Sequence, residues 1–432
     1  MSTLALHARD ARDLAQSLAD GSLRPSTLAE ALIERSASLQ PRLRAWVSFD
    51  PAAARRRASQ AISGALSGVP FAVKDNIDTA GIATAYGSAI YAAHVPAADA
   101  ACVALARAAG AWVLGKTACT EFANMTPCAT RNPWQAAHTP GGSSSGSAAA
   151  VSAGLVPLAL GTQTAGSVIR PAAYCGIVGY KPSPRRLPRA GTKPNADTLD
   201  EIGVMARSVA DAGWFAAVLA GEAGASALRA ERPRLAVTLT PRAAALSTAM
   251  VAALEAAAAH LGAAGAQVLP AGPAASFDAL FDAQRSVQLY ETARALAPEW
   301  QYRRRQLSPG LRALLAEGHA LPAAAYAQAL RVSRQAAAEL DTLFAGADVL
   351  LTAAATGAAP ASRTTTGDPL FNRPWQLLGC PCLTLPAGLD GDGLPLGLQL
   401  VARPGADDTL FAASAWVEEI LQSTEITRAR CA

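Results

Sequence analysis

The chain has 432 residues, of which 51% are hydrophobic and 16% are charged, and its formal net charge is +4. This composition is typical of a globular protein with a sizeable core, and so small a charge gives no electrostatic basis for binding nucleic acid or a membrane surface. Seven cysteines without a C-x-x-C motif, together with an N-terminus unlike a secretory signal, predict a cytoplasmic protein with reduced thiols.

The first part of the chain alternates helices and strands. Helical periodicity covers residues 4–40, 51–65 and about 97–109, with turn signals at Gly21 and Pro41. Short apolar runs predict buried strands at 69–73, which ends at Lys74, and at 111–115. This alternation predicts an α/β sheet with helices on both faces.

The most unusual stretch is 139–181, in which two Gly/Ser-rich loops flank an Ala-rich helix and the apolar strand Leu155–Leu160. Such a composition is common in flexible linkers. Here the loops alternate with apolar elements, which favours loops whose glycines let the backbone approach a ligand closely.

We interpret the sequence beyond residue 220 as mainly structural. Its predicted strands lie at 234–239, 266–269, 348–352, 382–386 and 396–402. Its predicted helices lie at 242–262, 277–297, 322–345 and about 407–421. We therefore predict one domain over 1–432, an α/β/α fold with a large mixed twisted sheet. Its helical region near 270–345 is expected to shape a substrate pocket.

Nucleophilic hydrolysis needs a nucleophile, a base and donors for the oxyanion. Of the five histidines, only His138 lies near the Gly/Ser-rich stretch, while His260 and His319 lie in helical sequence. The segment 142–146 matches the G-x-S-x-G nucleophile elbow, with Ser144 as nucleophile. A nucleophile elbow follows an apolar strand directly, however, whereas here the segment His138-Thr139-Pro140-Gly141 comes first.

A lysine is the alternative base. Only four of the 37 basic residues are lysines, and Lys74 ends a strand predicted to be buried. Burial disfavours the charged ammonium group and lowers its pKa, which makes lysine a workable base. Lys–Ser arrangements are a known variant of the catalytic triad, but spacing alone does not identify the serines.

Three segments of this chain resemble the amidase signature family. They are VPFAVKDNID at 69–78, PGGSSSGSAAAV at 140–151 and LGTQTAGSVIRPAAYCGIVGYKPS at 160–183. Weaker likenesses extend the resemblance over nearly the whole chain, and its core block covers 69–211. The family resemblance implies an amidase that hydrolyses C–N bonds through an acyl-enzyme.

The family's catalytic residues fall on matching positions of this chain. Its base falls on Lys74, its bridging serine, which follows an unusual cis peptide, on Ser143, and its acylated nucleophile on Ser167. The backbone amides that hold the oxyanion fall on Thr164, Ala165, Gly166 and Ser167.

Departures from the family pattern concern the oxyanion loop and the substrate. Gln163 replaces an acidic residue, and Ala165 replaces a glycine. The S-V-I-R sequence at 167–170 resembles the malonamidase-like branch, in which the arginine contacts a substrate carboxylate. Arg170, Gly142 and Gln163 are accordingly the predicted substrate-binding residues.

The expected substrate is a small-molecule amide, and the residues suggest neither a metal nor another cofactor. The first alternative is the amidase component of a tRNA-dependent amidotransferase, which works with partner subunits; Gln163 and the S-V-I-R sequence disfavour it. The others are a Ser-His-Asp esterase and a non-catalytic scaffold. The resemblance to the amidase signature family favours a homodimer.

Overall fold

A computed structural model describes residues 5–60, 64–222, 231–272 and 277–422. The strands are β1 (Trp46–Ser48), β2 (Pro70–Lys74), β3 (Trp112–Thr117), β4 (Leu158–Gln163), β5 (Val178–Lys181), β6 (Glu201–Ala206), β7 (Arg234–Val237), β8 (Gln267–Pro270), β9 (Val349–Ala353), β10 (Cys382–Leu389) and β11 (Pro395–Val401).

The α-helices are α1 (Ala11–Ala19), α2 (Pro25–Leu43), α3 (Pro51–Ser59), α4 (Ala101–Ala108), α5 (Ser145–Ser152), α6 (Ile169–Tyr174), α7 (Val209–Leu219), α8 (Thr248–Ala263), α9 (Ala279–Ala295), α10 (Ala297–Tyr302), α11 (Pro309–Ala320), α12 (Ala323–Ala338), α13 (Leu340–Phe344), α14 (Arg373–Leu377) and α15 (Asp407–Gln422). Short 3₁₀ turns lie at Leu6–Ala8, Ala89–Tyr91, Glu121–Ala123, Ala243–Ala245 and Arg304–Gln306.

The described strands form one sheet in the order β1-β3-β2-β4-β6-β5-β10-β11-β9-β7-β8. The strand β2 is parallel to both β3 and β4, and β7 is parallel to both β8 and β9. The pairs β4–β6, β5–β6, β5–β10, β10–β11 and β9–β11 are antiparallel. The prediction of a mixed α/β sheet is confirmed.

Two hydrophobic cores lie on opposite faces of this sheet, because successive side chains of a strand point to opposite sides. On β2, Phe71 and Val73 belong to a core that includes residues of α7, α8 and α15. Ala72 belongs to a core that includes residues of α2 and α5. Helices therefore cover both faces, and strands buried on both sides appear in sequence as the continuous apolar runs that predicted them.

Several local predictions differ from the structure. The strand predicted at Leu155–Leu160 is β4 at Leu158–Gln163, and the helix predicted over 322–345 is divided into α12 and α13. Pro41 was expected at a turn but lies in the last turn of α2, which ends at Leu43 and is followed by Arg44 in the left-handed conformation with φ 54°. The helix predicted over 51–65 ends at Ser59, and residues 61–63 lie outside the described residues.

The strands β1, β5 and β6 were not predicted. The strands β5 and β6 each contain a glycine, which weakens a strand signal. Those glycines give room for the start of α6, since a Cβ at Gly203 would lie 2.6 Å from Val168 Cγ2, and one at Gly179 would lie 2.6 Å from Ala172 Cβ. The segment after residue 167 can therefore pack directly on the sheet.

Candidate active site

Lys74 is the last residue of β2 and is fully buried. Its Nζ lies 2.7 Å from Ser143 Oγ, 2.7 Å from Thr162 Oγ1 and 3.3 Å from the carbonyl oxygen of Thr162. Burial lowers the pKa of Lys74 to about 8. Among the residues that the structure describes, no carboxylate lies within 4 Å of this ammonium group, so a neutral amine is accessible near physiological pH.

Ser143 lies two residues before the start of α5 and is 2% exposed. The Gly142–Ser143 peptide bond is cis, as the resemblance implied. The neighbouring Ser144 is fully buried, and its Oγ lies 3.3 Å from both the N and the O of Thr162. Ser144 is therefore held against β4, which disfavours the nucleophile elbow.

Ser167 lies between β4 and α6 and is 8% exposed. Its carbonyl oxygen accepts a hydrogen bond of 3.3 Å from the N–H of Ser144, which joins the two Gly/Ser-rich loops. Within the described part of the chain, the Ser167 hydroxyl makes no hydrogen bond. The structure thus brings Lys74 and Ser143 into direct contact and leaves the Ser167 hydroxyl unengaged.

The side chain of Gln163 anchors the segment 164–167, which we call the oxyanion loop, through hydrogen bonds to the residues that follow it. Oε1 of Gln163 accepts hydrogen bonds from the N–H groups of Val168 at 2.9 Å and Ile169 at 3.0 Å. Its Nε2 donates to Gln376 Oε1 at 3.0 Å. An amide suits this position because it accepts two donors and offers one of its own.

The four N–H groups of the oxyanion loop donate to no other described residue. Gly166 lies so close to Asn372 and Pro369 that a Cβ there would overlap Asn372. Backbone N–H groups that are unused and fixed in place are what an oxyanion hole requires.

Arg170, on α6, is 3% exposed. Its Nε donates to the carbonyl oxygen of Thr366 at 2.8 Å, and its Nη2 donates to the carbonyl oxygen of Gly142 at 2.6 Å. Burial lowers its pKa to about 10. Nη1 is buried and has no hydrogen-bond partner in the described part of the chain. Arg170 and Gly142 are therefore joined by a hydrogen bond, and one guanidinium nitrogen, Nη1, has no partner among the described residues.

Two groups near the lysine were not singled out from the sequence. Thr162 contacts Lys74, and its Oγ1 also accepts a hydrogen bond of 2.9 Å from Asn76 Nδ2. Asp200 lies next to Thr164, at 2.6 Å between Oδ1 and Oγ1. Two sequence features could have indicated these groups. They are Thr162-Gln163-Thr164 at the end of β4 and the acidic pair Asp200-Glu201 at the start of β6.

A cavity of about 400 Å³ lies beside this centre and is lined by Thr162 and Thr164, but not by Lys74, Ser143 or Ser167. The segment 189–202 and Asn76 provide most of its remaining lining. His260 and His319 are exposed, on α8 and α11, and His138 lines a small separate cavity with Gly141 and Ser145. No hydrogen bond in the described ranges joins a histidine to Ser143, Ser144 or Ser167, which disfavours a Ser-His-Asp site.

The described residues contain no group of three His, Cys, Asp or Glu side chains arranged to hold a metal. No helix in those same ranges is long and apolar enough to cross a membrane.

Residues 27–411 match the model of the family described as Amidase. The chain belongs to the amidase family. One amidase relative, a glutamyl-tRNA(Gln) amidotransferase subunit of Anaeromyxobacter dehalogenans, is 34% identical over 95% of this chain and 96% of its own length. The corresponding protein from Roseiflexus sp. is 42% identical, but that match spans 50% of this chain and about half (47%) of the relative.

Solved amidase structures have the same fold. The native peptide amidase from Stenotrophomonas maltophilia superimposes with a TM-score of 0.81 at 29% identity, over 98% of both chains. The geometry of the buried lysine and the two Gly/Ser-rich loops is therefore set within the fold of a known amidase.

Proposed function

We propose that this amidase hydrolyses a small carboxylic acid amide to the acid and ammonia or an amine, through an acyl-enzyme on Ser167. Family membership supports the hydrolysis of an amide C–N bond. The contact of 2.7 Å between Lys74 and Ser143 carries the proposal of the triad, because it joins a hydroxyl to a buried amine that no carboxylate of the described residues approaches within 4 Å.

In the first step, Ser167 Oγ attacks the amide carbon. Its proton passes to Ser143 Oγ, and the hydroxyl proton of Ser143 passes to neutral Lys74. The N–H groups of 164–167 stabilise the negative oxygen of the tetrahedral intermediate. The C–N bond then breaks, and the leaving nitrogen takes a proton back through Ser143 from Lys74.

In the second step, water attacks the acyl carbon and the same relay removes a proton from the water. The bond between the acyl carbon and Ser167 Oγ breaks, the acid leaves, and Ser167 regains its proton. The net change is one water consumed for each C–N bond broken, without a redox or metal step.

The substrate is proposed to be a small amide that bears a carboxylate. Nη1 of Arg170 supports this, since it is a buried cationic nitrogen without a partner among the residues that the structure describes, and such groups are normally paired. Gly142 and Gln163 support the site indirectly, Gly142 by anchoring Arg170 and Gln163 by anchoring the oxyanion loop.

The test is ammonia release from a panel of neutral amides and dicarboxylic monoamides by wild type, Ser167→Ala, Lys74→Ala and Arg170→Lys. We expect the first two variants to be inactive. Arg170→Lys should lose about 10- to 100-fold in kcat/KM on acidic amides, the worth of a charged hydrogen bond, and less on neutral ones. Equal losses on both classes would assign Arg170 to structure alone.

A second candidate function is favoured by the names of the relatives, which are amidotransferase subunits. In that case the ammonia would pass to a partner protein instead of being released. Ammonia release by the isolated chain decides between the two, because a subunit that needs its partner stays silent on every amide. A cytoplasmic homodimer remains part of the proposal for the hydrolase, and sedimentation of the purified protein tests the oligomeric state.

A further inference from the structure

The oxyanion loop begins where β4 ends, and its first residue lies beside Asp200. Because β4 and β6 are antiparallel and Gln163 pairs with Glu201, the residue before β6 is placed next to Thr164. Asp200 is 9% exposed. A carboxylate at this depth requires donors to offset its lost hydration.

Three donors converge on this carboxylate. Oδ1 accepts from the hydroxyl of Thr164 at 2.6 Å, while Oδ2 accepts from the N–H groups of Asn195 at 2.7 Å and Ala196 at 3.0 Å. Burial raises the pKa of Asp200 to about 6, and these donors oppose that rise. Asp200 is therefore an anion at neutral pH, and its short bond to Thr164 is charge-assisted and strong.

Almost every polar group of Thr164 is engaged. Its Oγ1 also accepts from Asn195 Nδ2 at 3.1 Å, and its carbonyl oxygen accepts from Gln284 Nε2 at 3.1 Å. In the described ranges, only its N–H donates to nothing. Fixing the hydroxyl and the carbonyl of one residue leaves its peptide planes little freedom to rotate.

Asn195 connects this arrangement to two further elements. Its Oδ1 accepts from Thr292 Oγ1 on α9 at 2.8 Å and from Asn124 Nδ2 at 3.2 Å. The side chain of Asn195 is 2% exposed. The start of the oxyanion loop is thus attached to a helix and to the segment after β3 through one amide.

We propose that Asp200 and Asn195 are positioning residues, which hold Thr164 so that its N–H points at the oxygen that becomes negative during the reaction. This inference rests on the proposed function. Neither side chain has a hydrogen bond to Lys74, Ser143 or Ser167 among those of the described residues. The charge of Asp200 also favours protonated Lys74, so assisting the base is not its role.

The test compares Thr164→Val with Thr164→Ser in the full chain, on an amide that wild type hydrolyses. Valine has nearly the same shape but no hydroxyl, so the loop loses its attachment to both Asp200 and Asn195. We expect kcat to fall by about 100-fold, as for a misplaced oxyanion donor, with little change in KM. Serine restores the hydroxyl and should recover most of that loss.

Asp200→Asn should lower kcat similarly, and the double variant with Thr164→Val should be no worse than the worse single variant, because both break the same contact. Asp211→Asn is the matched control. Asp211 is 1% exposed, accepts from the N–H groups of Ala11 at 2.6 Å and Arg12 at 3.0 Å, and its pKa is also raised to about 6. That variant should lose thermal stability but keep the kcat of the folded fraction.

Full kcat in Thr164→Val, or a loss confined to KM, overturns the positioning role while Ser167→Ala remains inactive. Equal losses in Thr164→Ser and Thr164→Val also overturn it, because the hydroxyl then plays no part. If instead Ser167→Ala is as active as wild type, the proposed function itself fails, whatever the Thr164 variants do.

Discussion

Lys74 and Lys116 are neighbours in the sheet and differ in what surrounds them. The strands β2 and β3 are parallel, with Val73 paired to Lys116 and Lys74 paired to Thr117. Both lysines are fully buried, and burial lowers the pKa of each. Nζ of Lys116 donates to Ile77 O and to Thr84 Oγ1, at 2.8 Å for the latter, and lies 4.0 Å from Asp75 Oδ1.

The difference lies in which neighbours can donate a proton. A carbonyl and a carboxylate only accept, and the hydroxyl proton of Thr84 is already directed to Ile82 O at 3.1 Å, so every neighbour of Lys116 favours the charged ammonium group. Ser143 is different, because its hydroxyl can donate to a neutral Lys74. Under the proposed mechanism, burial does not distinguish the base from the other lysine, whereas the Ser143 hydroxyl, which can donate a hydrogen bond to a neutral amine, does.

The largest expected effect is on Lys74→Met. We expect kcat to fall by about 10²- to 10⁴-fold, the usual contribution of a general base. Stability should be unchanged or higher, because an apolar side chain of similar length replaces a buried amine without a countercharge. Ammonia release and urea unfolding measure the two. Activity close to wild type in this variant would remove Lys74 from the mechanism.

Lys116→Met should show the reverse. It leaves the Asp75 carboxylate buried without its cation, which costs about 3–5 kcal/mol in the free energy of unfolding. The kcat of the folded fraction should fall far less than in Lys74→Met. Urea unfolding checks the first expectation, and the double variant Asp75→Asn/Lys116→Met should regain part of the lost stability. A folded but inactive Lys116→Met would contradict the distinction between the two lysines.

The pH dependence of wild type sharpens the same distinction. Lys74 accepts a proton only when neutral, and its pKa is about 8. Below that value kcat/KM should fall by about tenfold for each pH unit, and above it kcat/KM should level off. Lys116→Met should keep the same rising limb, since Lys116 takes no part in proton transfer. A wild-type profile that decreases as the pH rises from 6 to 8 is incompatible with a lysine base.

The smallest effects concern the threonine beside each lysine. Thr162→Val removes a hydroxyl from Lys74, and Thr84→Val removes one from Lys116. Each hydrogen bond is worth about 1 kcal/mol. We expect Thr162→Val to lower kcat by about fivefold and Thr84→Val to lower only the unfolding free energy. Steady-state rates and urea unfolding on both variants test this. A loss of kcat in Thr84→Val, with a loss of stability alone in Thr162→Val, would show that the roles of the two lysines are reversed.

Much of the fold was predictable because strands buried on both faces leave apolar runs, as at β2, β3 and β4. Pairing was not predictable, since nothing local to β5 indicates that it lies between β6 and β10. For the site, the resemblance supplied Lys74, Ser143 and Ser167. The contact between Thr164 and Asp200 could not be predicted from the sequence, because it joins residues 36 positions apart through the β4–β6 register.

The strand order has a consequence for how the molecule is made. The strands β1 to β6 all lie on one side of the β5–β10 seam, and β7 to β11 lie on the other. A growing polypeptide therefore leaves the ribosome with its lysine and serines first. Gln284 and Gln376, which fasten the oxyanion loop, follow more than 100 residues later. We therefore expect an unfinished chain, which has the proposed nucleophile Ser167 but lacks these two glutamines, to be inactive until its second half has been translated and has packed against the first.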